Sequence, residues 1–479
     1  MTFSKSKSRF ASRLCLKSNY RSKPRHHFIT KSKLLAFTPT SLKLTTLLKL
    51  RSTDRRVKLT LPAFTIVELL VVIVVIGILT AITVVSYTGV TSKAVAASLR
   101  SDLTSAKTKL QMYQVDYGSF PTVMTKTDET LCPSAPTIDN KYCIKPSTGN
   151  SFTYYPSTTS TTNTAPDFNL WANKADLYVR ITPNSPPTAN LTKSCPYGFI
   201  VVPGSSTYST SDFCVMKYEA KADDNGDGIG DTNQTTGYNT WPANTYPISA
   251  TRKLVSTPQG YPVANISQTT AISASQNYTA NCTSCHLITE AEWMTIAQNV
   301  LSNPVNWSTG TVGSGYISSG HNDNSPASAL EADTNDTNGY ASTNNTTGSN
   351  QKRTLTLTNG EVIWDLAGNT WEWTSGQTTG GQPGISGETA FAWKEWTAVN
   401  VTGTLAVNPF PSGTGLSGAS AWNATNGIGR LYSYVGDATV RGFLRGGNWS
   451  AGSNAGVLTV FLSAVPAYAD FNFGFRVAW

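Results

Sequence analysis

The chain has 479 residues, of which 39% are apolar and 37 are glycine, and its formal net charge is +9. This length allows two folded domains with additional non-globular segments, and it argues against a single compact core. Residues 1–63 contain 16 Lys and Arg but only one acidic residue, whereas the remainder contains 21 Lys and Arg against 27 Asp and Glu. Nucleic-acid binding by the body of the chain is therefore disfavoured, because it lacks clustered cations.

An apolar segment follows the basic leader at residues 64–87 and reads FTIVELLVVIVVIGILTAITVVSY. As a helix it would be about 36 Å long, which is enough to cross a bilayer. The basic flank precedes it, so we predict a cytoplasmic N-terminus and place everything after Tyr87 outside the cell. The carboxylate of Glu68 lies inside this segment, where an isolated charge costs roughly 2.5–3.5 kcal/mol, so we expect it to have a partner.

Beyond the apolar segment, the helix is predicted to continue with one apolar face to about residue 121. Gly118 and Pro121 are the residues that end it. Apolar residues recur at three- and four-residue spacing. They are Val95, Leu99, Leu103, Ala106, Leu110 and Tyr113.

The start of the apolar segment, Ala63-Phe64-Thr-Ile-Val-Glu68-Leu-Leu, resembles the type IV pilin and pseudopilin signature. The resemblance implies that a prepilin peptidase cuts before Phe64 and methylates the new amino group. It also implies that Glu68 pairs with the N-terminus of a neighbouring pilin subunit. The expected location is a single pass of the inner or cytoplasmic membrane before assembly, and then the cell surface or a pilus. An ordinary signal anchor is the alternative.

Residues 122–182 are predicted to form a small pilin-like head, with strands at 152–155 and 177–181. The polar, proline-containing segment 183–194 is predicted to be a linker. Six cysteines follow the leader in close pairs, which indicates disulfides and an oxidising compartment. They are Cys132 and Cys143, Cys195 and Cys214, and Cys282 and Cys285.

Residues 195–479 are predicted to form an irregular mixed domain, and they contain eleven of the twelve tryptophans. One helix is predicted, from Thr289 to Val300, with Thr289 and Glu292 in the capping-box pattern. The segments FCVMKYEAK, HLITEAEWMTIA, IWDLAGNTWEW, LRGGNWS and GFRVA occur here in order. Together they resemble the formylglycine-generating, or sulfatase-modifying-factor, family. The resemblance implies a variant of the C-type-lectin-like fold, so the predicted fold class is α+β.

The residues that carry catalysis in that family are missing from this chain. The two copper-binding cysteines would fall on Ala451 and Gly456, and no cysteine follows Cys285. Only His286 and His321 remain outside the leader, which is too few for the three-histidine iron site of a related branch. We therefore expect neither copper nor iron and a catalytically silent domain. Next to His286, the pair Cys282 and Cys285 also admits a zinc or redox site, but a structural disulfide is favoured.

Two segments are candidates for calcium, which prefers oxygen ligands. By resemblance, the first site would use Asp365, Gly368, Thr370 and Glu372. The second is a loop with the spacing of calcium repeats, and its ligands would be Asp223, Asn225, Asp227, Ile229 and Asp231. The alternatives are turn-capping carboxylates in the first case and a solvated acidic turn in the second.

Trp393, Trp396 and Trp422 lie in Gly- and Ser-rich segments, where exposure would suit sugar binding by stacking. The tryptophans inside the family motifs are predicted to be packing residues. They are Trp293, Trp364, Trp371, Trp373 and Trp449. The predicted function is a minor pilin or pseudopilin that displays a lectin-like domain for adhesion to a glycan or a protein. The alternatives are a membrane-anchored oxidase or protein-modifying enzyme, and a structural tip pseudopilin of a secretion system.

Overall fold

The fold is that of a computed structural model, and it is mixed α+β, as predicted. Contacts divide the chain into two units, residues 1–72 and residues 73–479. The described residues are 66–134, 137–157, 165–224, 226, 228–231, 239–240, 253–278, 282, 284–341, 343, 350–378, 380–401 and 422–479.

The first element is the 52-residue helix α1, Ile66–Tyr117. It ends where the sequence predicts, because Gly118 follows with a φ of +80°. Its buried face contains Leu99, Leu103 and Leu110, in agreement with the predicted apolar spacing.

The predicted membrane span over residues 64–87 is not supported. Among the residues that the structure describes, no helix combines the length and apolar content that a bilayer requires. The side chains described in this segment, Val67 and residues 69–76, are apolar and exposed. Ala63, Phe64 and the side chain of Glu68 lie outside the described residues.

A small head of antiparallel strands packs on α1. Its strands are β1 Met124–Thr127, β2 Thr130–Pro133, β3 Ser151–Pro156, β4 Phe168–Lys174, β5 Leu177–Thr182 and β6 Ser185–Leu191. The four-stranded sheet has the order β3-β4-β5-β6, and β3 and β5 confirm the two predicted strands. Phe168, Leu170 and Val179 of this sheet join the buried face of α1 in one apolar cluster.

The segment predicted to be a linker is instead largely part of this sheet. Strand β6 pairs with β5 through Thr182↔Ser185, Arg180↔Thr188 and Tyr178↔Leu191, with register shifts between them. In the sequence, the two consecutive prolines of β6 argue against a strand. An edge strand, however, tolerates residues that lack an N–H donor. The predicted break between head and C-terminal domain is therefore a structured connection.

Within its described residues, the C-terminal domain has many short strands and two α-helices. In chain order they are β7 Phe199–Val202, β8 Phe213–Met216, β9 Lys221–Asp223, β10 Asn239–Thr240, β11 Lys253–Val255, β12 Val263–Ala264, α2 Gln268–Gln276, β13 His286–Leu287, α3 Glu290–Ser302, β14 Thr354–Thr356, β15 Val362–Trp364, β16 Trp371–Gln377, β17 Ala392–Lys394, β18 Leu431–Ser433, β19 Gly442–Gly446, β20 Gly456–Phe461, β21 Phe473–Phe475 and β22 Val477–Ala478. The two larger sheets have the orders β13-β22-β8-β7 and β17-β18-β20-β19-β16-β21.

The helix predicted from Thr289 is confirmed as α3, and its capping box is complete: the Thr289 hydroxyl accepts from the Glu292 amide, and the Glu292 carboxylate accepts from the Thr289 amide. Helix α2 was not predicted from the sequence. It is only nine residues long and weakly amphipathic, although Ser267 caps it by accepting from the Thr270 amide.

All three predicted disulfides are present. Cys132 is bonded to Cys143, Cys195 to Cys214, and Cys282 to Cys285. The first ties β2 to the short loop that follows it in the head, and the second ties Cys195, the first residue after the predicted linker, to β8.

Head and C-terminal domain meet in a buried junction. Trp171 of β4 packs in the same cluster as Phe199 and Cys195, and its Nε1 donates to the Cys195 carbonyl at 3.0 Å. Arg180 of β5 forms an ion pair with Glu361 at 2.6 Å, and both side chains are almost fully buried. The head is thus packed against the C-terminal domain by apolar contacts and by charge.

Candidate functional site: an aromatic cleft in the C-terminal domain

A cleft of about 550 Å³ opens beside the six-stranded sheet. Its aromatic lining residues are Trp371, Trp393, Phe461, Tyr468 and Phe473. Its polar lining residues are Arg441, Asn448, Ser450, Asn454, Ser463, Asp470 and Asn472. A concave site with an aromatic wall and a few convergent polar groups is typical of small-ligand sites.

The aromatic wall is built by strand register. Trp393 of β17 lies opposite Tyr432 of β18, and Tyr432 lies opposite Phe461 of β20. The ring centroids of these two pairs are 5.0 and 4.8 Å apart. Trp371 of β16 extends the group, at 5.3 Å from Phe461 and stacked on Trp393 at 6.2 Å. These contacts hold each ring in place, so the half-buried Trp393 lines the cleft from a rigid support.

The loop after β19 forms the first polar wall. Gly446 and Gly447 have φ angles of +82° and +95°, which only glycine adopts easily. A side chain on Gly447 would also meet the Cβ of Ala455 at 2.8 Å. The Arg-Gly-Gly motif is therefore a turn, and it places Asn448 at the cleft, where the side chain is almost completely buried.

The second polar wall is the segment before β21, which carries Asp470 and Asn472. The backbone fixes both residues, because the Asp470 carbonyl accepts from the Asn265 and Phe473 amides and the Asn472 carbonyl accepts from the Trp371 amide at 2.9 Å. Oδ2 of Asp470 accepts from the Tyr468 hydroxyl at 3.0 Å.

Two acceptor atoms of this second wall are unused. Among the described residues, Oδ1 of Asp470 and Oδ1 of Asn472 are buried and accept no hydrogen bond. A buried acceptor without a partner costs about 1–3 kcal/mol, so each atom would gain from a donor placed in the cleft.

The cation of the cleft is already engaged. Arg441 pairs with Asp437 at 2.9 Å and donates to the Ser463 carbonyl at 2.5 Å. Its guanidinium also lies over the ring of Phe391, 5.4 Å from the centroid. The described lining contains no other Lys, Arg or His.

The structure brings only one of the three tryptophans predicted to be exposed to this cleft, namely Trp393. Trp396 is buried at 2% exposure, because it is part of the core beneath α3. Trp422 packs edge-on against Trp307 at 4.8 Å. The five tryptophans predicted to be packing residues are all buried.

Asp470 and Asn472 were missed from the sequence. No motif marks them, and their exposure to the cleft depends on the pairing of β21 with β16. Of the two positions on which the family's copper-binding cysteines would fall, Ala451 lines the cleft and Gly456 begins β20.

The first predicted calcium group is occupied by ion pairs. Asp365 pairs with Arg353 at 2.6 Å, and Glu372 pairs with Arg476 at 2.8 Å, all four side chains being buried. The Thr370 amide donates to Glu219 at 3.0 Å. The calcium assignment remains a prediction.

Glu219 is an additional acid in this group that the sequence analysis did not select. Burial, together with the nearby negative charges of Asp365 and Glu372, raises the pKa of Glu219 to about 8. Burial also lowers the pKa of the neighbouring Lys221 to about 7. The carboxylates of this region therefore belong to a buried network of acidic and basic side chains. This network stabilises the fold around the Asp365–Glu372 motif only while each buried charge has a partner of opposite sign.

The second predicted calcium group is a tight loop after β9. Asp223 accepts from the Gly228 amide at 2.9 Å, and Asp231 accepts from the Asp224 amide at 2.9 Å. Asn225 and Asp227 lie outside the described residues. Within the described part of the chain, no group of three or more His, Cys, Asp or Glu could hold a metal ion.

The zinc or redox alternative for Cys282 and Cys285 has no support from His286. Its Nε2 contacts the Glu292 carboxylate at 3.0 Å and its Nδ1 contacts the Ser284 carbonyl at 2.7 Å. Both ring nitrogens are thus used by the cap of α3 and its preceding turn.

Comparison with known proteins finds no matching family model and no matching curated protein. Among solved structures, the chain resembles the Major Tropism Determinant P3c variant at 16% identity and a TM-score of 0.29, over 73% of this chain and 70% of that one. The U1 variant of the same protein matches at 15% identity and a TM-score of 0.29, over 72% and 69%. Treponema denticola variable protein 1 matches at 15% identity and a TM-score of 0.28, over 68% and 98%. These are distant structural similarities.

Proposed function

We propose that this protein is a surface-displayed binding protein whose C-terminal domain attaches to a ligand through the aromatic cleft. The observation that carries the proposal is the pairing of a rigid aromatic wall with the unused acceptors of Asp470 and Asn472 in one cleft. Among the described lining residues of the cleft, no nucleophile is paired with a base.

We further propose that the N-terminal region is that of a type IV pilin-like subunit, a minor pilin or a pseudopilin. The support is the Ala63-Phe64 and Glu68 signature and a long helix whose later turns pack on a small antiparallel sheet. The apolar side chains of Val67 and residues 69–76 are exposed, so they are available to a membrane or to other subunits. On this proposal the protein passes the inner membrane once before assembly, is processed by prepilin peptidase, and then displays its C-terminal domain outside the cell.

Calcium is part of the proposal as a structural ion. The support is strongest at the loop of residues 223–231, where two carboxylates fold back onto the loop backbone and the turn contains glycines with positive φ.

The binding proposal is tested with the full-length chain purified in detergent and coupled to beads. Capture of whole cells from a panel of bacteria, yeast and erythrocytes is compared between the wild type and Trp393→Ala. Trp393→Phe, which keeps an aromatic ring, is the matched control. We expect Trp393→Ala alone to lose capture, and equal capture by all three proteins would overturn the proposal.

Processing is tested by mass spectrometry of the protein from its native membrane. An N-methylated Phe64 terminus is expected. An uncut leader would overturn the pilin-like proposal and leave the binding proposal unaffected.

A further inference from the structure

We infer that the ligand of the aromatic cleft is a neutral saccharide, with hydroxyl groups that donate to Asp470 and Asn472 while a C–H face of the sugar lies on Trp393. This inference rests on the proposed binding function of the same cleft and names the chemical class of its ligand.

The unused atoms determine which groups the ligand must supply. Oδ1 of Asp470 and Oδ1 of Asn472 are both acceptors, and in the side-chain orientations of the structure both atoms are buried from solvent and from a ligand in the cleft. The terminal torsion of Asp and Asn side chains is soft, so each oxygen can turn toward a donor in the cleft. The two residues are separated by one position, so a ligand that satisfies both must present two donors close together.

The remaining lining distinguishes between donors. Asn448, Ser450, Asn454 and Ser463 present amide and hydroxyl groups, which both donate and accept. Within the wall, Oδ1 of Asn448 accepts from the Ser450 hydroxyl at 3.3 Å, and Oδ1 of Asn454 accepts from Arg430 at 3.3 Å. A hydroxyl both donates and accepts, so a polyol can pair with the amide donors of the wall as well as with the acceptors of Asp470 and Asn472. An ammonium or guanidinium only donates, and it would leave the amide donors of the wall without acceptors.

The charge of the cleft indicates that the saccharide is neutral. The guanidinium of Arg441 is committed to Asp437, the Ser463 carbonyl and the ring of Phe391. No second cation lines the described cleft, and the carboxylate of Asp470 would repel an anionic sugar. Acidic saccharides and phosphorylated ligands are therefore expected to bind poorly.

The aromatic wall supplies the other half of the recognition. Trp393 is half-buried and is held by Tyr432, Trp371 and Phe461. An indole ring presents an apolar face at little cost in side-chain entropy. A volume of about 550 Å³ is within the range of ligand pockets and leaves room for more than one sugar unit.

The test is binding of the full-length chain in detergent to an array of immobilised neutral saccharides, acidic saccharides and lysine- or arginine-rich peptides. We expect binding to a subset of the neutral saccharides. Asn472→Ala should lower the apparent affinity for them about tenfold, because it removes an acceptor from the cleft. Asn472→Asp keeps an acceptor at this position and should retain binding. Asp176→Asn, in the exposed turn of the head, is the control for a change of charge.

The outcomes separate this inference from the proposed function. If Trp393→Ala abolishes cell capture but the array shows no neutral saccharide, the inference is wrong and the binding function stands. Preference for the basic peptides, or equal loss in Asn472→Ala and Asn472→Asp with unchanged thermal midpoints, also overturns it. If neither Trp393→Ala nor Asn472→Ala alters cell capture, the proposed function itself fails.

Discussion

At the scale of single residues, several buried charges of the C-terminal domain are matched in ion pairs, among them Asp365, Glu372 and Glu290. The Arg353–Asp365 pair is fully enclosed, whereas the Arg430–Glu395 pair has side chains that are 34% and 27% exposed. We expect Asp365→Asn to lower the free energy of unfolding by about 3–5 kcal/mol, because it leaves the Arg353 charge buried without a partner. Glu395→Gln is the matched control and should cost no more than about 1 kcal/mol. Denaturant titration of both variants measures the difference, and equal losses would contradict this account of the Asp365 site.

His286 adds a pH dependence of known sign. The hydrogen bond to Glu292 raises the pKa of His286 above its usual 6.5, and burial opposes this effect. The folded state therefore holds the proton more tightly than the unfolded state. The contribution of protonated His286 to the stability of the fold is complete below pH 6.5 and is lost as the pH rises through the folded-state pKa of His286. The thermal midpoint of the wild type should exceed that of His286→Gln more at pH 5.5 than at pH 8.5. A difference that grows with pH would show that the sign is wrong.

At the scale of elements, α3 was predictable because its signals are local. Thr289 and Glu292 satisfy each other's backbone amides, so a segment of four residues defines the helix start. We expect Thr289→Ala to cost about 1 kcal/mol of stability and Thr289→Ser, which keeps the hydroxyl, to cost much less. Urea denaturation of the two variants tests this, and equal destabilisation would mean that the hydroxyl is not what matters.

The loop of residues 223–231 is an element whose ion can be tested directly. If it binds calcium, CaCl₂ should raise the thermal midpoint of the protein after treatment with EDTA, and MgCl₂ should do so much less. Asp223→Asn should abolish the increase, whereas Asp365→Asn, at the other predicted site, should leave it unchanged. An increase that persists in Asp223→Asn and disappears in Asp365→Asn would assign the ion to the other site.

Elements that depend on distant pairing could not be predicted in this way. Strand β6 contains two prolines and reads as a linker, yet it is held as an edge strand by β5. The cleft shows the same limit. Trp393 could be selected because its local composition indicates exposure, but Trp396, three residues later, is buried by the core beneath α3. Asp470 and Asn472 carry no local signal, since their position depends on the β16–β21 pairing.

At the scale of the whole molecule, the head and the C-terminal domain are predicted to unfold together. Arg180 and Glu361 join them through a buried ion pair, and Trp171 packs across the same junction. Arg180→Met leaves Glu361 unpaired and should weaken the junction by about 3–5 kcal/mol. Calorimetry should then show one transition for the wild type and two for the variant. Lys141→Met breaks the exposed Lys141–Asp116 pair of the head and should keep one transition. Two transitions in the wild type would contradict the coupling.

The buried junction also has a mechanical meaning for a protein that would be pulled between an anchored helix and a captured cell. Only three residues separate the end of β6 at Leu191 from Cys195, which is covalently bonded to Cys214 in β8. Tension that enters the domain along the backbone therefore reaches a covalent bond before it reaches the hydrogen bonds between β7 and β8. On the proposed function, the disulfide thus keeps β7 from being pulled away from β8 when force acts on a bound ligand.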